Sequence, residues 1–195
     1  MKCDVILSGV GGQGVLSVST IIARAAVNEG FAVRQSEVHG MAQRGGAVIS
    51  HMRISDKPIP SDLVPRGEAC LIISMDPLEC LRYAATWLSP EGMLVTAAEP
   101  MVNINNYPDM ADILASINLF PSRRIIESAA LAKEAGYARA INMVMVGAAS
   151  PFLPLKAETL EGTIKAVFTE KQIKDETIIS ANIKAFQLGR KAAEK

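Results

Sequence analysis

The sequence predicts an α/β fold in three layers, with a mostly parallel sheet, at least one antiparallel strand and a helical layer towards the C-terminal end. Short apolar runs alternate with amphipathic helical segments as far as about residue 127, and this alternation is typical of parallel strands with helices on both faces. The first apolar run ends in a glycine-rich turn. After about residue 127 the pattern is helical only.

The first unit, residues 5–37, predicts a strand, a helix and a second strand. Val5-Ile6-Leu7 is an apolar run closed by glycines, as expected of a buried strand. Apolar residues then recur at helical spacing from residue 13 to residue 29, and Gly30 ends the helix. The second strand follows over residues 31–37. A unit of this size is a Rossmann-like strand–helix–strand repeat, in which the two strands are parallel.

The third strand is predicted over residues 47–54, where apolar and polar residues alternate. Only about ten residues separate it from the second strand. A parallel crossover usually needs about a dozen residues or more, commonly with a helix. We therefore expect the third strand to run antiparallel to its neighbour or to leave the main sheet.

The remaining elements continue the alternation and then give way to helices. Residues 57–67 contain three prolines and are expected to form a surface loop. Strands are predicted at 69–74, 92–97 and 124–127, and helices at 77–88, 109–116, 129–135, 138–149, 157–168 and 175–192. The chain is thus expected to be a single domain, 1–195, with a sheet core over 1–137 and a helical part over 138–195.

Charge and composition exclude several functional classes. The chain has 195 residues, with 20 basic and 20 acidic side chains and no net charge, so it offers no basic field for nucleic acid or an anionic membrane. The apolar run near the N-terminus breaks at Gly9, which is too short for a signal peptide or for a membrane span of about 20 residues. We therefore expect a cytoplasmic protein.

The three cysteines, Cys3, Cys70 and Cys80, show no Cys-x-x-Cys spacing. An iron–sulfur cluster usually needs four thiolate ligands, and a zinc site needs a comparable group of Cys and His. No metal site is therefore expected in this chain. The cysteines are expected to be small buried hydrophobic residues.

A glycine-rich turn after the first strand provides the first group of candidate cofactor-binding residues. The Gly-x-Gly-x-x-Gly spacing can place backbone amides around a phosphate at the start of a helix. An acidic residue at the end of the second strand could bind a ribose. The alternative is a tight strand-to-helix turn that holds no nucleotide. The candidates are Gly9, Gly11, Gly12, Gln13, Gly14 and Glu37.

A second polar loop follows the second strand and adds His39, Arg44, Gly45 and Gly46 to the candidates. The histidine could act as an acid, a base or a ligand, and the arginine could clamp a carboxylate or phosphate. The alternative is a structural loop in which both side chains bond to carbonyl groups. Because both loops follow strands, we expect them at the carboxyl edge of one sheet, where open α/β folds bind ligands.

No set of catalytic residues can be assembled from the sequence. The two histidines are His39 and His51, and His51 is predicted to be an ordinary sheet residue. No Ser–His–Asp, Cys–His or paired-carboxylate arrangement is apparent, so the catalytic residues are unknown. Asn142 lies in an apolar helical segment, and its amide must find a partner if it is buried.

Three segments together resemble the gamma domain of 2-oxoacid:ferredoxin oxidoreductases, and the resemblance spans nearly the whole chain. The second segment is the specific one, because many Rossmann-like proteins share the first. One departure is Gly136-Tyr137, where the family often has Gly-Asn. The segments are Gly9-Val10-Gly11-Gly12-Gln13-Gly14-Val15-Leu16, then His39-Gly40-Met41-Ala42-Gln43-Arg44-Gly45-Gly46 with Val48-Ile49-Ser50-His51-Met52-Arg53, and Asn142-Met143-Val144-Met145-Val146-Gly147.

The resemblance implies a subunit of an enzyme of the EC 1.2.7 class, which oxidatively decarboxylates a 2-oxoacid to an acyl-CoA. Within the family the chain is most similar to the indolepyruvate type, in which a large subunit carries thiamine diphosphate and [4Fe–4S] clusters and reduces ferredoxin. The gamma domain is then a separate small subunit, inactive alone. Coenzyme A is expected at the interface, with the glycine turn and the Arg44 loop as the candidate surface. The isolated chain is expected to self-associate through that surface.

Two other functions stay open from the residues alone. One is a stand-alone nucleotide-binding module with a regulatory or scaffolding role, which the glycine turn by itself would support. The other is an NAD(P)-dependent dehydrogenase. The absence of a recognisable catalytic set in the sequence makes the dehydrogenase the weaker hypothesis.

Overall fold

The computed structural model of the chain describes residues 1–39, 45–170, 172 and 175–194. Within these residues six strands form one sheet in the order β2-β3-β1-β4-β5-β6. The strands are β1 (Lys2–Val10), β2 (Ala32–His39), β3 (Ala47–Ser55), β4 (Ala69–Ser74), β5 (Leu88–Ala97) and β6 (Arg123–Ile126). The helices are α1 (Val15–Asn28), α2 (Pro77–Trp87), α3 (Met110–Ile117), α4 (Ser128–Glu134), α5 (Ile141–Ala149), α6 (Ala157–Glu170) and α7 (Glu176–Ala193).

The sheet is mixed in the way that the short connection before β3 predicts. Strands β1, β4, β5 and β6 are parallel to one another, whereas β3 pairs antiparallel with both β1 and β2. A connection too short for a crossover helix leaves β3 to return beside β2 as a hairpin partner. The prediction of an antiparallel third strand is confirmed, and β3 occupies the position between β1 and β2.

Two apolar cores on opposite faces of the sheet make the fold three-layered. Because side chains alternate along a strand, Val5 and Leu7 of β1 pack into the core that α1, α5, α6 and α7 cover. Ile6 packs into the second core, beneath α2 and α3. The predicted three-layer α/β class is confirmed, although α1 from the N-terminal part shares a layer with the C-terminal helices.

Helix α5 lies at the centre of the helical layer and is apolar on all sides. Its residues from Met143 to Ala149 are all buried, as expected of a helix enclosed between a sheet and other helices. It packs closely against α7, where Gly147 faces the backbone of Phe186 and Gly189 faces the backbone of Val144. In the described part of the chain, no helix is both long and apolar enough to cross a membrane.

Candidate functional site

The turn from β1 to α1 is shaped by glycines that permit close packing. A Cβ atom at Gly9 would come within 2.9 Å of Val15 Cγ2 and 3.0 Å of Met75 Cβ, so only glycine lets the turn lie against both α1 and β4. Gly14 begins α1 with φ of 81°, a left-handed conformation that favours glycine. A Cβ atom there would also overlap the side-chain amide of Asn142.

The Gln13 side chain is bonded within the turn. Its Oε1 accepts a hydrogen bond from the Val10 amide at 2.7 Å, and its Nε2 donates to the Met75 carbonyl at 2.9 Å. The backbone amide of Gln13 also donates to the Val10 carbonyl at 3.0 Å. Gln13 therefore joins the end of β1 to the end of β4, a positioning role within the protein.

Backbone hydrogen bonds hold the two glycine-rich loops together. The Gly11 amide donates to the Gly46 carbonyl at 2.8 Å, and the Gly45 amide donates to the Gly11 carbonyl at 3.1 Å. The described end of the second loop, Gly45 and Gly46, thus lies beside the glycine turn at the carboxyl edge of the sheet, as the sequence positions predict. The same bonds occupy the Gly11 amide, which a phosphate-cradling turn would direct at its ligand.

The remaining predicted site residues that the structure describes, Glu37 and His39, lie on β2, and β3 separates this strand from β1. Glu37 lies on β2 opposite Ser50 of β3, so a whole strand separates it from β1, about 10 Å at 4.8 Å per strand. In the dinucleotide-binding arrangement the corresponding strand lies beside β1, and this geometry gives the ribose-binding prediction no support. His39 ends β2 opposite Val48. Arg44 lies outside the described residues.

A third loop, residues 98–109, reaches across to the glycine-rich loops. Asn103 Nδ2 donates to the Gly45 carbonyl at 2.8 Å. The Met101 amide donates to Asp76 Oδ2 at 2.7 Å, and the Tyr107 hydroxyl lies 3.4 Å from Asp76 Oδ1. Burial raises the pKa of Tyr107 to about 12, with the nearby Asp76 as a second cause, so this hydroxyl stays a hydrogen-bond donor.

Asp76 organises both the start of α2 and the loop 98–109, and only the first of these roles has a signal in the sequence. Its side chain is buried and caps α2, where Oδ1 accepts from the amides of Leu78 and Glu79 at 2.9 and 3.0 Å. An aspartate immediately before a proline at a helix start is a recognisable N-cap signal. The sequence offers that signal at Asp76-Pro77. It carries no indication that the same carboxylate also anchors the loop 98–109.

A cavity of about 470 Å³ lies above the carboxyl ends of β1, β4 and β5. Asn142, which is half-buried, enters it from α5 and donates to the Gly14 carbonyl at 3.4 Å. Arg139 is exposed beside the cavity and makes no ion pair with any described residue. The lining includes Gly12, Gln13, Met75, Glu99, Arg139 and Asn142.

Glu99 supplies a carboxylate to the same cavity, but both of its oxygens are engaged. Ser128 Oγ donates to Oε2 at 2.6 Å and the Ala129 amide donates to Oε1 at 2.7 Å. These bonds cap the first turn of α4. Of the two described charged side chains that line the cavity, Glu99 and Arg139, the Arg139 guanidinium is therefore the one without a bonded partner.

His51 is an ordinary sheet residue, as predicted. It is buried, its Nδ1 accepts a hydrogen bond from the Val64 amide at 3.3 Å, and its ring meets the edge of Trp87. Burial lowers the pKa of His51, so the ring is neutral at pH 7. Its position on β3 and its bonded Nδ1 give it no role at the cavity.

Exposed apolar side chains surround the carboxyl edge. Val102 is 68% exposed and Leu16 is 52% exposed. We call this group the apolar rim; it comprises Leu16 at the start of α1, Val38 near the end of β2, and Met101, Val102 and Ile104 in the loop 98–109.

Comparisons with known proteins agree with this architecture. The indolepyruvate oxidoreductase subunit IorB of Pyrococcus horikoshii is 34% identical, with 98% of this chain and 96% of that protein covered. The gamma subunit of a keto/oxoacid ferredoxin oxidoreductase from Geobacter sulfurreducens has 25% identity and a TM-score of 0.69, over 98% of both chains. The 2-oxoglutarate:ferredoxin oxidoreductase of Magnetococcus marinus matches with a TM-score of 0.76 and 20% identity, over 99% of this chain but 31% of that one.

The sequence profile described as pyruvate ferredoxin/flavodoxin oxidoreductase matches residues 4–192. It takes in all six described strands and nearly all of the helical layer. The resemblance stated from the three sequence segments is confirmed. The chain therefore belongs to the pyruvate ferredoxin/flavodoxin oxidoreductase family.

Proposed function

We propose that the chain is the small subunit, without thiamine or clusters, of a 2-oxoacid:ferredoxin oxidoreductase that acts on indolepyruvate and related aryl pyruvates. The observation that carries this proposal is the 34% identity to an indolepyruvate oxidoreductase subunit over 98% of this chain and 96% of that protein. A match over nearly the full length of both sequences supports the same division of labour between subunits.

The partner in this proposal is a large subunit that docks at the carboxyl edge. There the apolar rim supplies exposed apolar area, and burying apolar area is the main favourable term in protein association. The hydrogen bonds from Gly11 to Gly46 and from Asn103 to Gly45 hold the three loops in fixed relative positions. A preorganised surface loses less entropy when a partner binds.

The stand-alone nucleotide module receives less support from the same geometry. The Gly11 amide and the Gln13 amide are both bonded within the protein, so two donors of the predicted phosphate cradle are occupied. The glycines instead allow close packing of β1, α1 and α5. This corresponds to the alternative of a tight turn, with the loops serving as a contact surface.

Thiamine diphosphate would supply the decarboxylation chemistry, with [4Fe–4S] clusters for electron transfer, and we place all of these groups on the partner. Coenzyme A is the one group that this chain could help to hold. Its phosphates are anionic, and the Arg139 guanidinium beside the cavity is a cation without an ion-pair partner among the described residues. Arginine binds phosphate through paired, charge-assisted hydrogen bonds.

The proposed function is tested by reconstitution under anaerobic conditions. The tagged chain is coexpressed with a cluster-bearing large subunit, and reduction of a viologen dye is measured with indolepyruvate and coenzyme A. We expect no reduction by this chain alone and rapid reduction by the complex, with pyruvate a poorer substrate by kcat/KM. Full activity of either subunit alone would contradict the proposal, as would a folded chain that never associates with the large subunit.

Replacing Arg139 with alanine is expected to raise the KM for coenzyme A about tenfold, which corresponds to about 1.4 kcal/mol for one charge-assisted contact. The KM for the 2-oxoacid should stay unchanged, because the proposed contact of Arg139 is with the phosphates of coenzyme A alone. Steady-state kinetics of the reconstituted complex measure both constants.

The matched control for Arg139 is Arg34→Ala. Arg34 is also exposed, but it lies near the start of β2 and its Nε is 3.7 Å from Asp62, so the KM for coenzyme A should not change. Equal effects of the two substitutions on that KM would reject the assignment of Arg139.

A further inference from the structure

Two cysteines meet at the amino-terminal edge of the sheet, opposite the carboxyl edge. Cys3 lies on β1 and Cys70 on the adjacent parallel strand β4, and their Sγ atoms are 2.9 Å apart. Cys3 is buried and Cys70 is half-buried. Both contact the same apolar core, and the β4–β5 register shifts between Ala69 and Leu71, immediately beside Cys70.

The sequence offers no indication of this contact, because 67 positions separate the two cysteines. Only the pairing of β1 with β4 brings them together. Paired strands lie about 4.8 Å apart, and a disulfide requires Cα atoms about 4.4–6.8 Å apart. The β1–β4 register, which pairs Val5 with Leu71, continues to Cys70 opposite Asp4, so Cys3 and Cys70 are offset by one residue. With about 4.8 Å between strands and about 3.3 Å per residue, their Cα atoms are about 6 Å apart, which suits a covalent bond between the side chains.

The two thiols differ in character. The hydrogen bond with Cys3 lowers the pKa of Cys70 and a backbone hydrogen bond at Asp4 lowers it further, which outweighs the opposing effects of burial and of the Asp4 charge. The same hydrogen bond with Cys70 raises the pKa of Cys3, and burial adds to that rise. Of the two thiols, Cys70 is therefore the one that loses its proton more readily, and it is also the more accessible.

Charged groups around the pair are already neutralised. The Asp4 carboxylate is buried and bonds to the Arg53 guanidinium, with Nε to Oδ1 at 2.8 Å. Lys2 Nζ lies 2.9 Å from Asp4 and 2.8 Å from Glu68. Because these charged side chains are paired with one another, an uncharged oxidant such as hydrogen peroxide meets no unpaired charge as it approaches Cys70.

We propose that Cys3 and Cys70 form a redox-active dithiol that peroxide oxidants convert to a disulfide. Cys80 takes no part, because it is buried in the other core, on the opposite face of the sheet. This modification site does not depend on the proposed oxidoreductase function and lies at the other edge of the sheet from the cavity.

The reaction proceeds in two steps. The Cys70 thiolate attacks one oxygen of hydrogen peroxide, an S–O bond forms, the O–O bond breaks, and hydroxide leaves. Cys3 then attacks the Cys70 sulfur as its proton is lost, the S–S bond forms and the S–O bond breaks. The released hydroxide ions take up protons to become water. Overall, two thiols are oxidised to one disulfide and one peroxide is reduced to two water molecules.

The test uses the full chain with Cys80→Ser, which leaves two thiols of the original three. The reduced, folded protein is treated with a small excess of hydrogen peroxide, the excess is removed, and the protein is then unfolded in urea, alkylated with N-ethylmaleimide and weighed by mass spectrometry. We expect two adducts before peroxide and none after it, with trypsin releasing residues 3–24 joined to residues 67–82. The unsubstituted chain should change from three adducts to one.

Single substitutions separate the proposed dithiol from general thiol oxidation. In Cys3→Ser, Cys70 should stop at the sulfenic acid, which dimedone traps, and no cross-link should form. In Cys70→Ser, Cys3 should stay alkylatable after unfolding, because the thiol that reacts first is missing. If either variant fails to fold by circular dichroism, the unsubstituted chain decides the question, mapped with trypsin and a protease that cleaves before Asp76, which places Cys70 and Cys80 on separate peptides.

Three outcomes would overturn the proposal. One is a folded chain that keeps both thiols after peroxide while the urea-unfolded chain loses them. The second is a cross-link to Cys80 in the unsubstituted chain, and the third is a link between two molecules. Because each readout is a mass, an inactive complex would refute the proposed function and leave this test unaffected.

Discussion

Replacing Gly147 with alanine is expected to lower the free energy of unfolding by about 3 kcal/mol, at the upper end of the cost of overpacking. A Cβ atom at this position would overlap the Phe186 carbonyl oxygen of α7, and one at Gly189 would overlap the Val144 carbonyl of α5. The obstructing atoms belong to the backbone, so no side chain can rotate away. The two helices would have to separate in the centre of the helical layer.

Gly162→Ala is the matched control for this substitution. Gly162 also lies within a helix, α6, but it is exposed and no other atom lies within 4 Å of an added Cβ. Alanine should therefore stabilise the protein by about 0.8 kcal/mol through helix propensity alone. Urea denaturation of the two variants measures both values. A Gly147→Ala protein as stable as the unsubstituted chain would show that α5 and α7 are not in close contact.

Replacing Asp76 with alanine is expected to lower the free energy of unfolding by about 2 kcal/mol, the combined cost of a lost N-cap and a lost loop anchor. The α2 amides of Leu78 and Glu79 would lose their acceptor, and so would the Met101 amide in the loop 98–109. We also expect the complex to assemble more weakly, because the apolar rim residues in this loop would no longer be held.

Asp76→Asn separates the two functions of this side chain. The remaining Oδ1 can still accept from the α2 amides, but the new Nδ2 cannot accept from the Met101 amide. The stability loss should fall to about 1 kcal/mol, while hydrogen exchange of the Met101 amide should accelerate to the same degree as in Asp76→Ala. If the asparagine variant were as unstable as the alanine variant with unchanged exchange at Met101, the anchoring role would be rejected.

Much of the fold could be predicted because its signals are local. The short apolar runs of β1 and β4, the glycine that ends α1, and Pro77 at the start of α2 each act within a few residues along the chain. Even the reversal of β3 follows from the length of one connection. The predicted elements at 69–74, 77–88 and 109–116 coincide with β4, α2 and α3 to within one residue at each end.

The candidate site was predicted only in outline. The two glycine-rich loops were expected at one edge, and the bonds between Gly11 and Gly46 confirm that placement. That the Gly11 amide bonds to a second loop could not be predicted. A Gly-x-Gly-x-x-Gly run has the same sequence whether its amides face a phosphate or another loop. The roles of Asp76 and Asn103 are equally hidden, since both bond to residues far away along the chain.

The sequence by itself therefore determined the elements, their three-layer arrangement and the family, since these depend on periodicity, turn chemistry and short motifs. The tertiary structure alone decided which amides of the glycine turn are already hydrogen-bonded within the protein. It also decided that Arg139 lines a cavity without an ion-pair partner among the described residues, and that Cys3 contacts Cys70. The physical reason is common to all three. Each depends on atoms that are distant in sequence and adjacent only after the strands have paired in their final order.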